Sequence, residues 1–176
     1  STHAIFSDLA TDGKHLVVVD SDLYLSVFDK NLSLVWKHSI VDSYDHCGNR
    51  ILLDQIAGGA YYQSKPTVAN GKVFIGTPSR FIYAIDEATG KEIWKSELGG
   101  AVSAAPSVSG NRIFVGQQGG EDEFYCLDTE TGKKLWTQAL GWVWGSANVK
   151  SDNVFVPCID GFVYCLAADN GYLKWR

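Results

Sequence analysis

Two eleven-residue segments, AIDEATGKEIW (Ala84 to Trp94) and CLDTETGKKLW (Cys126 to Trp136), carry Asp, Thr-Gly and Trp at the same offsets. They sit inside longer units that also match: Ser64 to Gly100, Ala104 to Gly141, Gly145 to Trp175 and, more weakly, Phe6 to Trp36. The closing tryptophans Trp36, Trp94, Trp136 and Trp175 are 58, 42 and 39 residues apart. A unit used four times must bury its apolar faces against its own copies, and a period near 40 residues is that of a four-stranded propeller blade.

Within a unit the pattern is that of short strands. VFIGT and IFVGQ are β-branched and aromatic runs that follow the turns at Asn70-Gly71 and Gly110-Asn111. FIYAID and EFYCLD alternate with period two, and KEIWK and KKLWT end each unit. Pro66 and Pro106 stand at the start of a first strand, where a missing N–H is tolerated. The expected fold is all-β: a β-propeller of four-stranded antiparallel blades, with four blades near residues 1–40, 60–100, 101–141 and 142–176 and an inserted loop at 41–59.

The segment between third and fourth strands has a direct physical reading. Asp86 or Asp128 caps the turn by accepting backbone N–H groups, Gly90 or Gly132 supplies a positive φ, and the tryptophan offers a broad apolar face to a neighbouring blade. On these residues the chain resembles the pyrroloquinoline-quinone (PQQ)-type propeller repeat family, with Trp36, Trp94, Trp136 and Trp175 in the place of that family's docking tryptophans. Units one and four depart from the pattern, with the shorter FDKNLSLVW in one and Ala167 in place of the Asp in the other. The family includes quinoprotein alcohol dehydrogenases and the lipoprotein scaffold of the bacterial outer-membrane assembly machinery, and its members are mostly periplasmic or secreted.

Propellers of this family close with seven or eight blades, so four units read as half of such a ring, completed by the rest of a longer chain or by a second copy. A self-contained four-bladed ring is the alternative. Open ends would leave blade faces and strand edges uncovered. The first ten residues, STHAIFSDLA, hold no basic stretch followed by an apolar core, and no run reaches the ~18 apolar residues of a membrane helix. With net charge −5 and scattered basic residues, the chain lacks the footprint of a nucleic-acid binder. Cys126 and Cys165 occupy one repeat position inside apolar strands, which points to buried free thiols, whereas the pairing of Cys47 and Cys158 stays open.

From Trp36 to Pro66 is 30 residues against 12 from Trp94 to Pro106, so the first inter-blade connection holds about 18 extra residues. It gathers His38, Asp42, His46 and Cys47, donors suited to zinc but not at the spacing of known ligand pairs, so the reading is a structural loop without a metal. Within it, Ile51, Leu52, Leu53, Ile56, Tyr61 and Tyr62 are expected to pack on the propeller.

One connection stands out. ALGWVWGSANV (Ala139 to Val149) carries Trp142 and Trp144 just ahead of an innermost strand, where earlier copies carry Gly, Ala and Ser. These tryptophans either plug the axis or line a ligand site at the channel mouth, together with Asn148 and Asp160. The resemblance to quinoprotein dehydrogenases implies PQQ stacked on a tryptophan, calcium held by carboxylate and amide oxygens, and an aspartate base. GWVWGSANV is similar to WGSA-like segments of polyvinyl-alcohol-dehydrogenase-like members. Against that stand the missing Cys-Cys pair and the ordinary turn chemistry of Asp160-Gly161. No nucleophile elbow, phosphate loop or zinc-protease helix motif is present. The primary expectation is therefore a non-catalytic scaffold that binds a protein, peptide or saccharide without a cofactor, and the second is a PQQ- and calcium-dependent alcohol dehydrogenase or part of one.

Overall fold

The computed structural model describes residues 8–20, 24–40, 64–119 and 123–176. They form four separate four-stranded antiparallel sheets, each a meander in chain order. Blade 1 is β1 (Ala10–Thr11), β2 (Leu16–Val19), β3 (Tyr24–Phe28) and β4 (Leu34–Ser39). Blade 2 is β5 (Thr67–Ala69), β6 (Lys72–Gly76), β7 (Phe81–Asp86) and β8 (Glu92–Glu97). Blade 3 is β9 (Ser107–Ser109), β10 (Arg112–Gly116), β11 (Glu123–Asp128) and β12 (Lys134–Ala139). Blade 4 is β13 (Asn148–Lys150), β14 (Asn153–Pro157), β15 (Val163–Ala167) and β16 (Leu173–Trp175). The first strands lie innermost, β1 beside β5, β5 beside β9 and β9 beside β13. The architecture is thus the β-propeller of four-stranded blades that the repeat implies. Most of the long first connection, including Asp42, His46, Cys47 and its apolar and tyrosine residues, lies outside the described residues.

Strand periodicity dictates where the cores form. Val73 and Ile75 of β6 face blade 1, where they meet Val17, Val27 and Leu25. Phe74 between them faces the opposite way and packs with Trp94, Ile113 and Leu127 across the blade 2 to blade 3 boundary. A third cluster joins Phe114, Phe124 and Cys126 of blade 3 to Val154, Val156 and Leu166 of blade 4. Blades 2 and 3 are therefore buried on both faces only by their neighbours, so the blades are not independently stable units.

The boundary is specified by one repeated contact. Trp36 donates its indole N–H to the Glu87 carbonyl (2.7 Å), Trp94 to Thr129 (3.0 Å) and Trp136 to Ala168 (3.2 Å). Each acceptor lies in the β3–β4-type turn of the next blade, where a glycine follows. Gly90, Gly132 and Gly171 have φ of +71°, +67° and +74°, and a Cβ on any of them would lie within 2.5–2.6 Å of the incoming indole. Glycine is needed here twice over, for the left-handed backbone and for the flat contact.

Asp86 accepts from the N–H and hydroxyl of Thr89, and Asp128 from those of Thr131. Blade 4 has no such carboxylate, yet its turn keeps the same backbone bonds, Ala167 N–H to Tyr172 O and Gly171 N–H to Ala167 O. Asn170 Oδ1 accepts the Tyr172 N–H in its place. The backbone sets the turn, and the aspartate reinforces it.

Gly132→Ala should destabilise the fold by about 2–4 kcal/mol, since it combines backbone strain with overpacking against Trp94. Gly110→Ala, at φ +58° with nothing near its Cβ, should cost roughly 1 kcal/mol. Urea unfolding of the two variants separates the indole contact from the strain. Thr89 and Thr131 also hold Asp86 and Asp128 below the ordinary carboxyl value of 3.8. A depressed folded-state value means that the stabilisation is present above that range and is lost as pH falls through the native values. Asp128→Asn should therefore lower Tm at neutral pH and flatten its decline below about pH 4, as read by thermal melts across pH.

Candidate functional site

A meander of this kind puts the β2–β3 turns and the blade-to-blade connections at one end, and the β1–β2 hairpins and β3–β4 turns at the other. At the connection end, Val102 and Val143 are fully buried because Gly76 and Gly116 leave them a slot: a Cβ at either glycine would lie 2.1 to 2.3 Å from the valine side chain. Val102 N–H donates to Thr77 O and Val143 N–H to Gln117 O. The chain neighbours of the pinned valine are Ala101 and Ser103 in the second connection, where the Ser103 hydroxyl is buried, and Trp142 and Trp144 in the third, 41% and 56% exposed.

The same connection is stitched to blade 4. Trp142 O accepts the Ile159 N–H (3.1 Å), and the Cys158 thiol lies against Leu140 O and Trp142 O at 3.2 and 3.4 Å. This brings the exposed side chains of Ile159 and Phe162, in the β14–β15 turn, to the end that carries Trp142 and Trp144. Asp160 lies in the same turn, but its oxygens are engaged: Oδ1 accepts Phe162 N–H (3.1 Å) and Oδ2 accepts the Tyr164 hydroxyl (2.6 Å). The Tyr164 bond is the main reason its carboxyl is held low. Asn148 is exposed on the innermost strand, paired across from Phe155. Of the metal candidates in the first connection only His38 is described, and it sits in β4 opposite Leu25, in no ligand cluster among the described residues.

The opposite end holds a group that the sequence reading missed. Asp12, His15 and Glu87 place ligand-type atoms within 4.8 Å of one another, with His15 Nδ1 2.7 Å from the buried Glu87 carboxylate. Asp12 also accepts the backbone N–H groups of Lys14 and His15, which lower its carboxyl. The next boundary has Lys72 Nζ 2.8 Å from Glu130, so His15–Glu87 is the polar inter-blade tie at the first boundary. His15 precedes β2 and is not a strand residue. Its partner lies 72 positions away in another blade, so no local pattern could expose the pair.

Cys126, Cys158 and Cys165 are free thiols, and Cys126 and Cys165 are buried in strands. Burial pushes the Cys126 thiol up to about 12 and raises Cys158 as well.

Four meander sheets stacked face to face make a β-propeller. Residues 33–176 match the family described as outer membrane protein assembly factor BamB, and the chain belongs to that family. The fold is similar to BamB from Moraxella catarrhalis, with TM-score 0.76 and 17% identity over 99% of this chain and 49% of that one. It is also similar to a quinohemoprotein alcohol dehydrogenase from Pseudomonas putida HK5, with TM-score 0.72 and 16% identity over 92% of this chain and 32% of that one. A 58-residue stretch is 41% identical to the lanthanide-dependent methanol dehydrogenase of Methylacidiphilum fumariolicum (strain SolV), covering 30% of this chain and 10% of that protein. The chain thus spans half or less of the length of these relatives.

Because only the thiolate reacts, Cys126 should resist alkylation in the folded protein at pH 8 and become labelled only in denaturant. Mass spectrometry after a timed iodoacetamide pulse checks this, and rapid native labelling of Cys126 would contradict the buried position.

Proposed function

We propose that the chain is part of a non-catalytic propeller scaffold, periplasmic or secreted, whose connection end binds an extended apolar peptide segment of a partner protein. The observation that carries this is the exposure of Trp142 and Trp144 at the end of the blades where Ile159 and Phe162 are also exposed, on a connection whose backbone is fixed by the buried Val143. Large rigid aromatics on an immobilised backbone lose little entropy on binding. The apolar Ile159 and Phe162 favour apolar side chains over a sugar, which would need free polar groups, and the Asp160 oxygens are already engaged. A ring completed by further blades is supported by the likeness of these four blades to about half of the BamB chain.

The short identity to a methanol dehydrogenase supports a second reading, a PQQ- and calcium-dependent alcohol dehydrogenase. The residues fit that cofactor pair poorly. Asp160 is committed to its turn, and Cys158 faces two carbonyls rather than a second cysteine. The one group of metal-type ligands among the described residues lies at the other end of the blades from Trp142 and Trp144.

Titration with unstructured peptides bearing apolar and aromatic side chains at alternate positions should shift tryptophan emission, and Trp142→Ala with Trp144→Ala should weaken binding about tenfold or more. PQQ with calcium should leave the quinone absorbance and Tm unchanged. A cofactor-dependent rise in Tm would favour the dehydrogenase, since a ligand stabilises the state it binds.

A further inference from the structure

Three side chains at the hairpin end of the first blade boundary depart together from the repeat. Asp12 and His15 flank the Gly13–Lys14 tip of the β1–β2 hairpin, just past the last ladder pair, Thr11 with Leu16. The residues that flank the two-residue tip in the other blades are Ala69 and Lys72, Ser109 and Arg112, and Lys150 and Asn153. Glu87 is the residue whose carbonyl receives the Trp36 indole, and its counterparts are Thr129 and Ala168. None of these counterparts is a histidine or a carboxylate. The three exchanges to metal-ligating side chains thus fall at one boundary, although they come from two blades and His15 and Glu87 are 72 positions apart.

Folding brings these exchanges to one point. The ligand atoms of Asp12, His15 and Glu87 lie within 4.8 Å of one another, and His15 Nδ1 is 2.7 Å from Glu87 Oε1. The Glu87 side chain is 10% exposed and that of His15 24%, whereas Asp12 is open to solvent. Asp12 Oδ1 accepts the Lys14 and His15 N–H groups at 2.8 and 2.9 Å, which holds its carboxylate to the hairpin. Charge is out of balance by comparison with the next boundary, where one lysine, Lys72, meets one carboxylate, Glu130. Here two carboxylates converge on one imidazole, and Lys14 pairs with neither among the described residues. Even a protonated His15 balances only one of the two charges, and a covered carboxylate near a second one is costly without a cation. The donor set selects the kind of ion. One imidazole nitrogen and two carboxylate oxygens suit zinc or another first-row divalent ion, while calcium and magnesium take oxygen ligands.

We propose that Asp12, His15 and Glu87 form a zinc-type site that clamps blade 1 to blade 2, with water completing the coordination on the solvent side of Asp12. The ion does at this boundary what Lys72 does at the next: it ties a β1–β2-type hairpin to the following blade's turn. Unfolding separates ligands so far apart in the chain, so bound zinc stabilises the folded boundary. The site lies at the opposite end of the blades from Trp142 and Trp144 and stands independently of the peptide-binding reading.

The test compares the chain with variants that borrow the next blade's residues. After chelator treatment, zinc chloride should raise Tm, and calorimetric titration should show binding. Cobalt(II) in its place should give a visible d–d band without a thiolate charge-transfer band, the signature of nitrogen and oxygen ligands. His15→Lys, which copies Lys72, should fold, weaken zinc binding at least about tenfold and abolish the rise in Tm. Asp12→Ala, which copies Ala69, should weaken binding in the same sense and decides the matter if His15→Lys does not fold by circular dichroism. Zinc affinity unaltered in a folded variant would overturn the proposal, since the ion would then sit elsewhere in the chain. So would a thiolate band, an equal rise in Tm with calcium or magnesium, or no zinc binding by the unaltered chain.

Discussion

The indole of one blade lying flat on a glycine of the next, with its N–H on the adjoining carbonyl, is the contact on which the rest of the structure depends. A tryptophan buried this way contributes on the order of 3–5 kcal/mol relative to alanine. Its reach is wider than that figure, because the hydrogen bond fixes the angular setting of two sheets that share no strand pairing through their outer strands. With that setting established, alternate residues of every strand fall into one of two inter-blade cores, and the innermost strands come side by side.

The same rigidity makes the connection end useful. Thr77 and Gln117 end their strands with carbonyls that receive the next connection, and Gly76 and Gly116 open the slots that hold Val102 and Val143. In the third connection, pinning at Val143 displays Trp142 and Trp144 without any cost in core packing. Evolution can therefore place Ala101 and Ser103 in one copy and Trp142 and Trp144 in another while the blade beneath stays the same. Variation at the display positions and constancy at the pinned ones is the expected division in a repeat scaffold.

The polar ties follow a similar logic with less uniformity. Lys72–Glu130 and His15–Glu87 both join a second-strand start to the following blade's turn, but with different chemistry. Glu130 is largely exposed, so its pair with Lys72 adds orientation more than stability, whereas both partners of His15–Glu87 are mostly covered. In blade 4, Ala167 shows that even the turn aspartate is dispensable when Asn170 and the backbone bonds remain.

The repeat period, the period-two strands, the turn glycines and the closing tryptophans were legible in the sequence because each is a local pattern or a copy of one. Together they determined the all-β class, the number of blades and the place of Trp142 and Trp144 ahead of an innermost strand. The turn glycine was legible for its positive φ but not for its contact, since nothing within the turn reveals an indole 35 to 54 residues away, from Trp136 to Gly171 or Trp36 to Gly90 by subtraction. Asp160 was legible as polar and near a channel end, but only the tertiary structure decided that its oxygens belong to Phe162 and Tyr164. Tertiary structure also decided that His15 meets Glu87 across the first blade boundary. These are facts about which surfaces meet, and a sequence records surfaces one blade at a time, whereas burial is decided between blades.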